Sequence, residues 1–234
     1  MRTTTGVRSA RRLAAVLVAG TALAGCTSSA PQGSPSTPSA TSATSGSSTA
    51  AEFAALAARG VPARYTASYD LVSTGSPTPN ATVAVAKGVE GLRIAVTSQG
   101  STAIYLSTSS GTVSCQTGGG QSSCLRVAAP GSTPPPLFDP GIQRIFTTTL
   151  AAIAAQDAGV HVAPSGTVPG PGGQGVATCA DIAGPGVDAG TYCLLDSGIP
   201  DRAQFAAGAL RLTSVGAAPA ASAFVPPATP TALP

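Results

Sequence analysis

Residues 91–97, GLRIAVT, alternate Leu92, Ile94 and Val96 against Arg93, Ala95 and Thr97. Period two with one wet face marks a half-buried antiparallel strand, because successive side chains leave opposite faces of the pleat. The pattern continues in both directions. Upstream, residues 64–72 (RYTASYDLV) place Tyr65, Tyr69 and Leu71 on one face, and residues 81–88 (ATVAVAKG) supply Val83 and Val85. Downstream come TAIYLST (102–108), TVSC (112–115) and CLRVA (124–128). Gly, Ser and Asn turns separate these short runs, which together predict a meander.

Two helices flank the meander. Thr49 and Glu52 match a capping box, Phe53 and Leu56 share a face, and Gly60 suits the C-terminal end. After the break at 130–136, Asp139 and Pro140 fit the N-cap and first position of a second helix. Ile142, Ile145, Phe146, Leu150 and Ile153 then form one apolar stripe at helical period, ended by Gly159. Strands return at 160–162, 175–180, 191–195 and 203–215. The fold class is therefore α+β: a curved, mostly antiparallel sheet with two helices packed on one face.

The chain begins with a basic segment (Arg2, Arg8, Arg11, Arg12), an apolar run LAAVLVAGTAL (13–23) and the tetrad Leu23, Ala24, Gly25, Cys26. This is the order of an export signal, and the apolar run is too short for a mature membrane span of about 20 residues. The LAGC tetrad resembles the lipobox of bacterial lipoproteins. That resemblance implies cleavage before Cys26, acylation of its thiol and amine, and stable anchoring through two or more chains. Residues 27–48 carry Ser, Thr, Pro, Ala, Gly and Gln without charge or large apolar groups, the composition of a spacer. The expected organisation is a signal at 1–25, a lipidated cysteine and disordered linker at 26–48, a folded domain at 49–215 and a disordered Ala/Pro tail at 216–234.

The formal charge of +3 is misleading. Four of the 12 basic residues lie in the signal, leaving 8 against 9 acidic residues and a net charge of −1. With no basic stripe after Cys26, nucleic acid is excluded as a partner. Cys115, Cys124, Cys179 and Cys193 remain in the mature chain, in a compartment that permits disulfides. Four cysteines allow three pairings, and Cys115–Cys124 with Cys179–Cys193 each close a short excursion. Zinc would want closer pairs or histidine partners, and the chain has only His161. No metal or cofactor is expected.

The helix–meander–helix order, with the late pieces GVATCADIAG (175–184) and GTYCLLDSGIP (190–200), resembles the LolA/LolB-like domain of actinobacterial cell-envelope lipoproteins of the LprG/LppX type. The resemblance covers residues 50–215. It implies an unclosed half-barrel whose concave face holds two helices as a lid over an apolar cavity. A lipid or glycolipid ligand, a monomer tethered to the extracytoplasmic face of the cell membrane, and no catalytic residues follow from it. The lining would be Tyr65, Tyr69, Leu92, Ile94, Val96 and Leu106 from the sheet and Ile145, Phe146 and Ile153 from the second helix. The same periodicity also serves an ordinary filled core. The alternative function is a structural or interaction module binding a protein or cell-wall polymer. There is no G-x-S-x-G elbow for a hydrolase, and His161 and the aspartates read as surface and turn residues.

Overall fold

Helix α1 (Ala50–Gly60) starts where the capping box places it: Thr49 N–H donates to Glu52 Oε2 at 2.6 Å, and Glu52 N–H to Thr49 Oγ1 at 3.1 Å. The structure, a computed structural model, describes residues 49–76, 80–138, 141–173 and 175–232. The signal, the Cys26 lipobox, the linker and the Asp139–Pro140 helix start lie outside them. Six strands follow α1: β1 (Tyr65–Ser73), β2 (Ala81–Lys87), β3 (Gly91–Ser98), β4 (Ser101–Thr108), β5 (Gly111–Gly118) and β6 (Gln121–Ala128). A short 3-10 turn, Pro136–Phe138, leads into helices α2 (Ile142–Phe146) and α3 (Thr148–Ala155). Five more strands then form a second meander: β7 (His161–Pro169), β8 (Val176–Ala183), β9 (Gly190–Leu195), β10 (Pro200–Phe205) and β11 (Gly208–Gly216).

The two meanders are one sheet. β11 pairs antiparallel with β1, so the first and last long strands meet at its centre. A two-residue strand, β12 (Thr231–Ala232), adds parallel to β6, giving the order β12-β6-β5-β4-β3-β2-β1-β11-β10-β9-β8-β7. The fold is α+β with a large, mostly antiparallel, unclosed sheet and helices packed on one face.

The helices cover what is called here the inner face. Phe53, Leu56, Ile145, Phe146, Leu150 and Ile153 meet Tyr69, Val83, Val85, Ile94, Ile182, Leu194 and Leu212 in one buried cluster. On the outer face, Ala86, Ala95, Ile104, Leu106, Val113 and the cysteines of β5 and β6 form a second cluster, covered by Phe224.

Three expectations change. The second helix is interrupted, because the Thr147 hydroxyl donates to the Gln143 carbonyl at 2.8 Å while the Thr147 N–H turns to Arg144 at 3.2 Å. A side-chain donor has replaced the backbone one, a known way for threonine to end a helical turn. The tail is ordered throughout its described residues, 217–232. It crosses the outer face through a 3-10 turn at Ala221–Phe224, buries Phe224 and ends as β12 on the β6 edge. Finally, Gly60 is the last residue of α1 and not a left-handed cap, Val61 after it being αR; glycine is required because α1 abuts the β9–β10 turn so closely that a Cβ on Gly60 would overlap the Gly198 carbonyl, and one on Gly198 the α1 backbone.

Candidate functional site

Strand alternation sends Tyr65 and Tyr69 of β1, Leu92 and Ile94 of β3 and their neighbours toward the helices. Tyr69 and Phe146 stack tilted, with ring centroids 5.4 Å apart. The Tyr69 hydroxyl donates to the Pro200 carbonyl at 3.1 Å. The Tyr65 hydroxyl is buried without a hydrogen-bond partner among the described residues. Burial pushes both phenols well above their ordinary pKa. Tyr192, whose hydroxyl donates to the Asp188 carbonyl at 2.7 Å, is pushed up to about 12 by burial and then by the Asp188 charge.

Of the nine residues expected to line a cavity, seven pack against one another and their neighbours. Tyr65, Tyr69, Leu92, Ile94, Ile145, Phe146 and Ile153 are all between 0 and 5% exposed and belong to one cluster. Val96 sits at its margin, where with Ile94, Ala103, Tyr105, Ser114, Gln116 and the exposed Leu137 it lines an open cleft of about 190 Å³. That is below the roughly 300–1,000 Å³ of small-molecule sites; a wider open cleft of about 470 Å³ beside Leu92 is walled mostly by turn and polar residues, 87–91, 107–109, Gln143 and Thr147. Leu106 is on the other side of the sheet: it pairs with Arg93 while Tyr105 pairs with Ile94, so it faces outward into the Phe224 cluster.

The cysteines cross-link neighbouring strands. Cys115 of β5 is bonded to Cys124 of β6, and Cys179 of β8 to Cys193 of β9; each pair is directly opposite in register. All four side chains alternate with inner-face residues and so lie on the outer face.

Two charged groups escaped the sequence reading. Lys87, to which that reading gave no role, donates from Nζ to the Gly60 carbonyl at 2.9 Å and the Phe146 carbonyl at 3.0 Å. It thereby ties together the ends of α1 and α2, where helix carbonyls lack backbone partners. Burial lowers its pKa to about 8. The sequence marks Lys87 only as the single lysine of the chain, which does not name its partners. Asp201, 1% exposed, sits at a bulge between Pro200 and Arg202 and accepts from Arg202 Nε at 3.1 Å. Burial raises its pKa, and Arg202 and then Arg211 oppose the rise. Arg202 also reaches the Pro169 carbonyl at 3.1 Å, holding the end of the β7–β8 hairpin. These polar groups are committed to structure. Among the described residues no three His, Cys, Asp or Glu side chains gather as a metal site, and no helix is long and apolar enough to cross a membrane.

No protein-family model and no curated protein matches the chain. Among solved structures it is similar to the MucA/MucB complex of Pseudomonas aeruginosa, at 14% identity and a TM-score of 0.44 over 75% of this chain and 60% of that one. It is similar to a crystal structure of MucB at 13% and 0.44 over 75% and 62%. It is also similar to MucB in complex with MucA(peri), at 14% and 0.41 over 76% and 59%. The chain spans about three fifths of the length of these structures. With no family model and no curated protein behind it, the LprG/LppX-type resemblance drawn from the sequence is withdrawn. The expectation of a monomer, which followed from that resemblance, is withdrawn with it.

Proposed function

We propose that this chain is a lipid-anchored interaction module of the cell envelope, non-enzymatic, that binds a protein or cell-wall polymer at its surface. The observation that carries the reading is the filled inner face. Seven of the nine residues expected to hold an acyl chain are buried against one another and their neighbours, so recognition falls to the exterior. Two disulfides suit an extracytoplasmic compartment, where the oxidised pair persists. In this reading Cys26 carries the anchor, and residues 26–48 let the domain stand off by up to roughly 75 Å at full extension.

The test is crosslinking in intact cells that carry the full chain, beside a Cys26→Ser variant. The expected result is a discrete adduct with a protein or a glycan, and loss of membrane retention in the variant. A chain that captures neither class of partner sinks the interaction reading. A Cys26→Ser variant that stays membrane-bound sinks the anchor.

A further inference from the structure

We propose that the β6 edge of the sheet is a docking site for an extended segment of a partner protein, and that the C-terminal strap, residues 217–232, is the chain's own competitor for that edge. The proposal rests on the interaction-module reading and names the surface it would use.

The sheet is open, and its two ends differ. β7 carries Pro164, which has no N–H to offer, and a bulge between Pro164 and Gly166. Those are the devices by which edge strands avoid pairing with other chains. β6, QSSCLRVA, has no proline, and its one bulge, at Val127, lies at the strand's end and leaves the register with β5 regular from Gln121 to Arg126. Its one charge, on Arg126, is drawn away to the Ser110 carbonyl at 2.7 Å. The Cys115–Cys124 bond staples the strand to its neighbour, which preorganises the edge.

The edge already accepts a strand. Thr231 aligns with Leu125 and Ala232 with Arg126, in parallel, and the Thr231 hydroxyl donates to the Cys124 carbonyl at 3.3 Å. That carbonyl therefore points out of the sheet, and alternation gives Ser122 the same direction. Two paired residues cover only part of an eight-residue strand. A partner strand in the same orientation would use the full length, the mode of recognition by strand addition. The strap is lightly held: Phe224 is its one buried large side chain, and Val225 beside it is 66% exposed. A second copy of the chain fits less well, because a twofold axis would bring two β6 strands together antiparallel.

The experiment uses the full chain and a fluorescein-labelled peptide of residues 217–234, read by anisotropy. Phe224→Ala, which loosens the strap without touching β6, should bind the peptide at least tenfold more tightly than the unaltered chain. A peptide carrying Thr231→Pro should lose that binding. Thr231→Pro within the chain is the second variant, releasing the strap without altering the outer-face core. In host cells a photocrosslinking residue at position 123 should give a protein adduct that strengthens with either variant and is displaced by the tail peptide. Failure of the peptide to bind both variants overturns the proposal. So does an adduct indifferent to the peptide, or one consisting of a second copy of this chain. Adducts elsewhere on the surface with none at position 123 would overturn the edge while leaving the interaction reading in place.

Discussion

Lys87 holds two helix ends at once, and its removal tests whether that tie matters. Lys87→Met keeps most of the apolar stem but leaves the Gly60 and Phe146 carbonyls without their donor. The expected loss is about 1–3 kcal/mol, the cost of a buried polar group left unsatisfied, read by urea unfolding at pH 7. The pH dependence has a defined sign. The folded pKa of about 8 lies below the free value of 10.5, so the folded state holds fewer protons between those limits. The lysine's contribution therefore rises as pH climbs from 8 toward 10.5 and falls back as pH drops to 8. The unaltered chain should gain stability relative to Lys87→Met between pH 8 and 9.5. An unchanged difference would show that burial is not setting this pKa. Above pH 10 the buried tyrosines act the other way, because only the unfolded chain can then ionise them.

The same scale separates Tyr65 from Tyr69, which share a strand face. Tyr69→Phe gives up a bond to the Pro200 carbonyl and should cost about 0.5–1.5 kcal/mol. Tyr65→Phe removes a hydroxyl that has no partner among the described residues, and should be neutral or slightly stabilising. Equal losses in the two variants, by urea midpoint, would show that Tyr65 has a bonding partner after all.

At the scale of elements the two disulfides divide the labour, one stapling each meander. Chain-entropy arguments assign about 2.5 kcal/mol to closing 9 residues and about 3 kcal/mol to closing 14. Paired substitution of Cys115 and Cys124 by alanine should lower the unfolding free energy by about 2–3 kcal/mol, with a similar loss for Cys179 and Cys193. Denaturant titration of each double variant checks this, and additivity is expected because the pairs sit in different meanders.

Much at this scale was legible. The Thr49–Glu52 box set the start of α1, and the alternation around Ile94 set which face of β3 meets the helices, because both signals are local; the face expected to be wet is buried at Ala95, in a cluster assembled from other strands and the tail. The break at Thr147 was not, since an apolar stripe reports burial and is blind to a hydroxyl that takes a backbone carbonyl. Leu106 was misplaced for a related reason. Ile104, Tyr105 and Leu106 are all buried, so β4 shows no alternation from which its faces could be told apart. Lys87 and Asp201 were illegible in their roles because their partners lie on elements distant in sequence or at a bulge.

For the whole molecule the informative error is the tail. Its Ala, Pro and Thr residues bury little, and composition alone argued for disorder; the sheet's outer face, built from strands far upstream, supplies the partner surface. Pro219, Pro226, Pro227 and Pro230 restrict the free chain and lessen the entropy lost when it docks. The strap is held chiefly by Phe224, whose burial contributes roughly 1.5–3 kcal/mol, and by two residue pairs with β6. So light a hold should let the strap detach in a local opening well below global unfolding, as weakly held segments do. Hydrogen exchange in low denaturant provides the check. Amides of residues 221–232 should exchange through an opening insensitive to urea, while those of β1 to β3 should follow the global transition. Phe224→Ala should accelerate the first group and leave the second unchanged. If residues 221–232 exchange only with β1 to β3, the strap is part of the cooperative fold, and a partner would have to unfold the sheet to reach the edge beneath it.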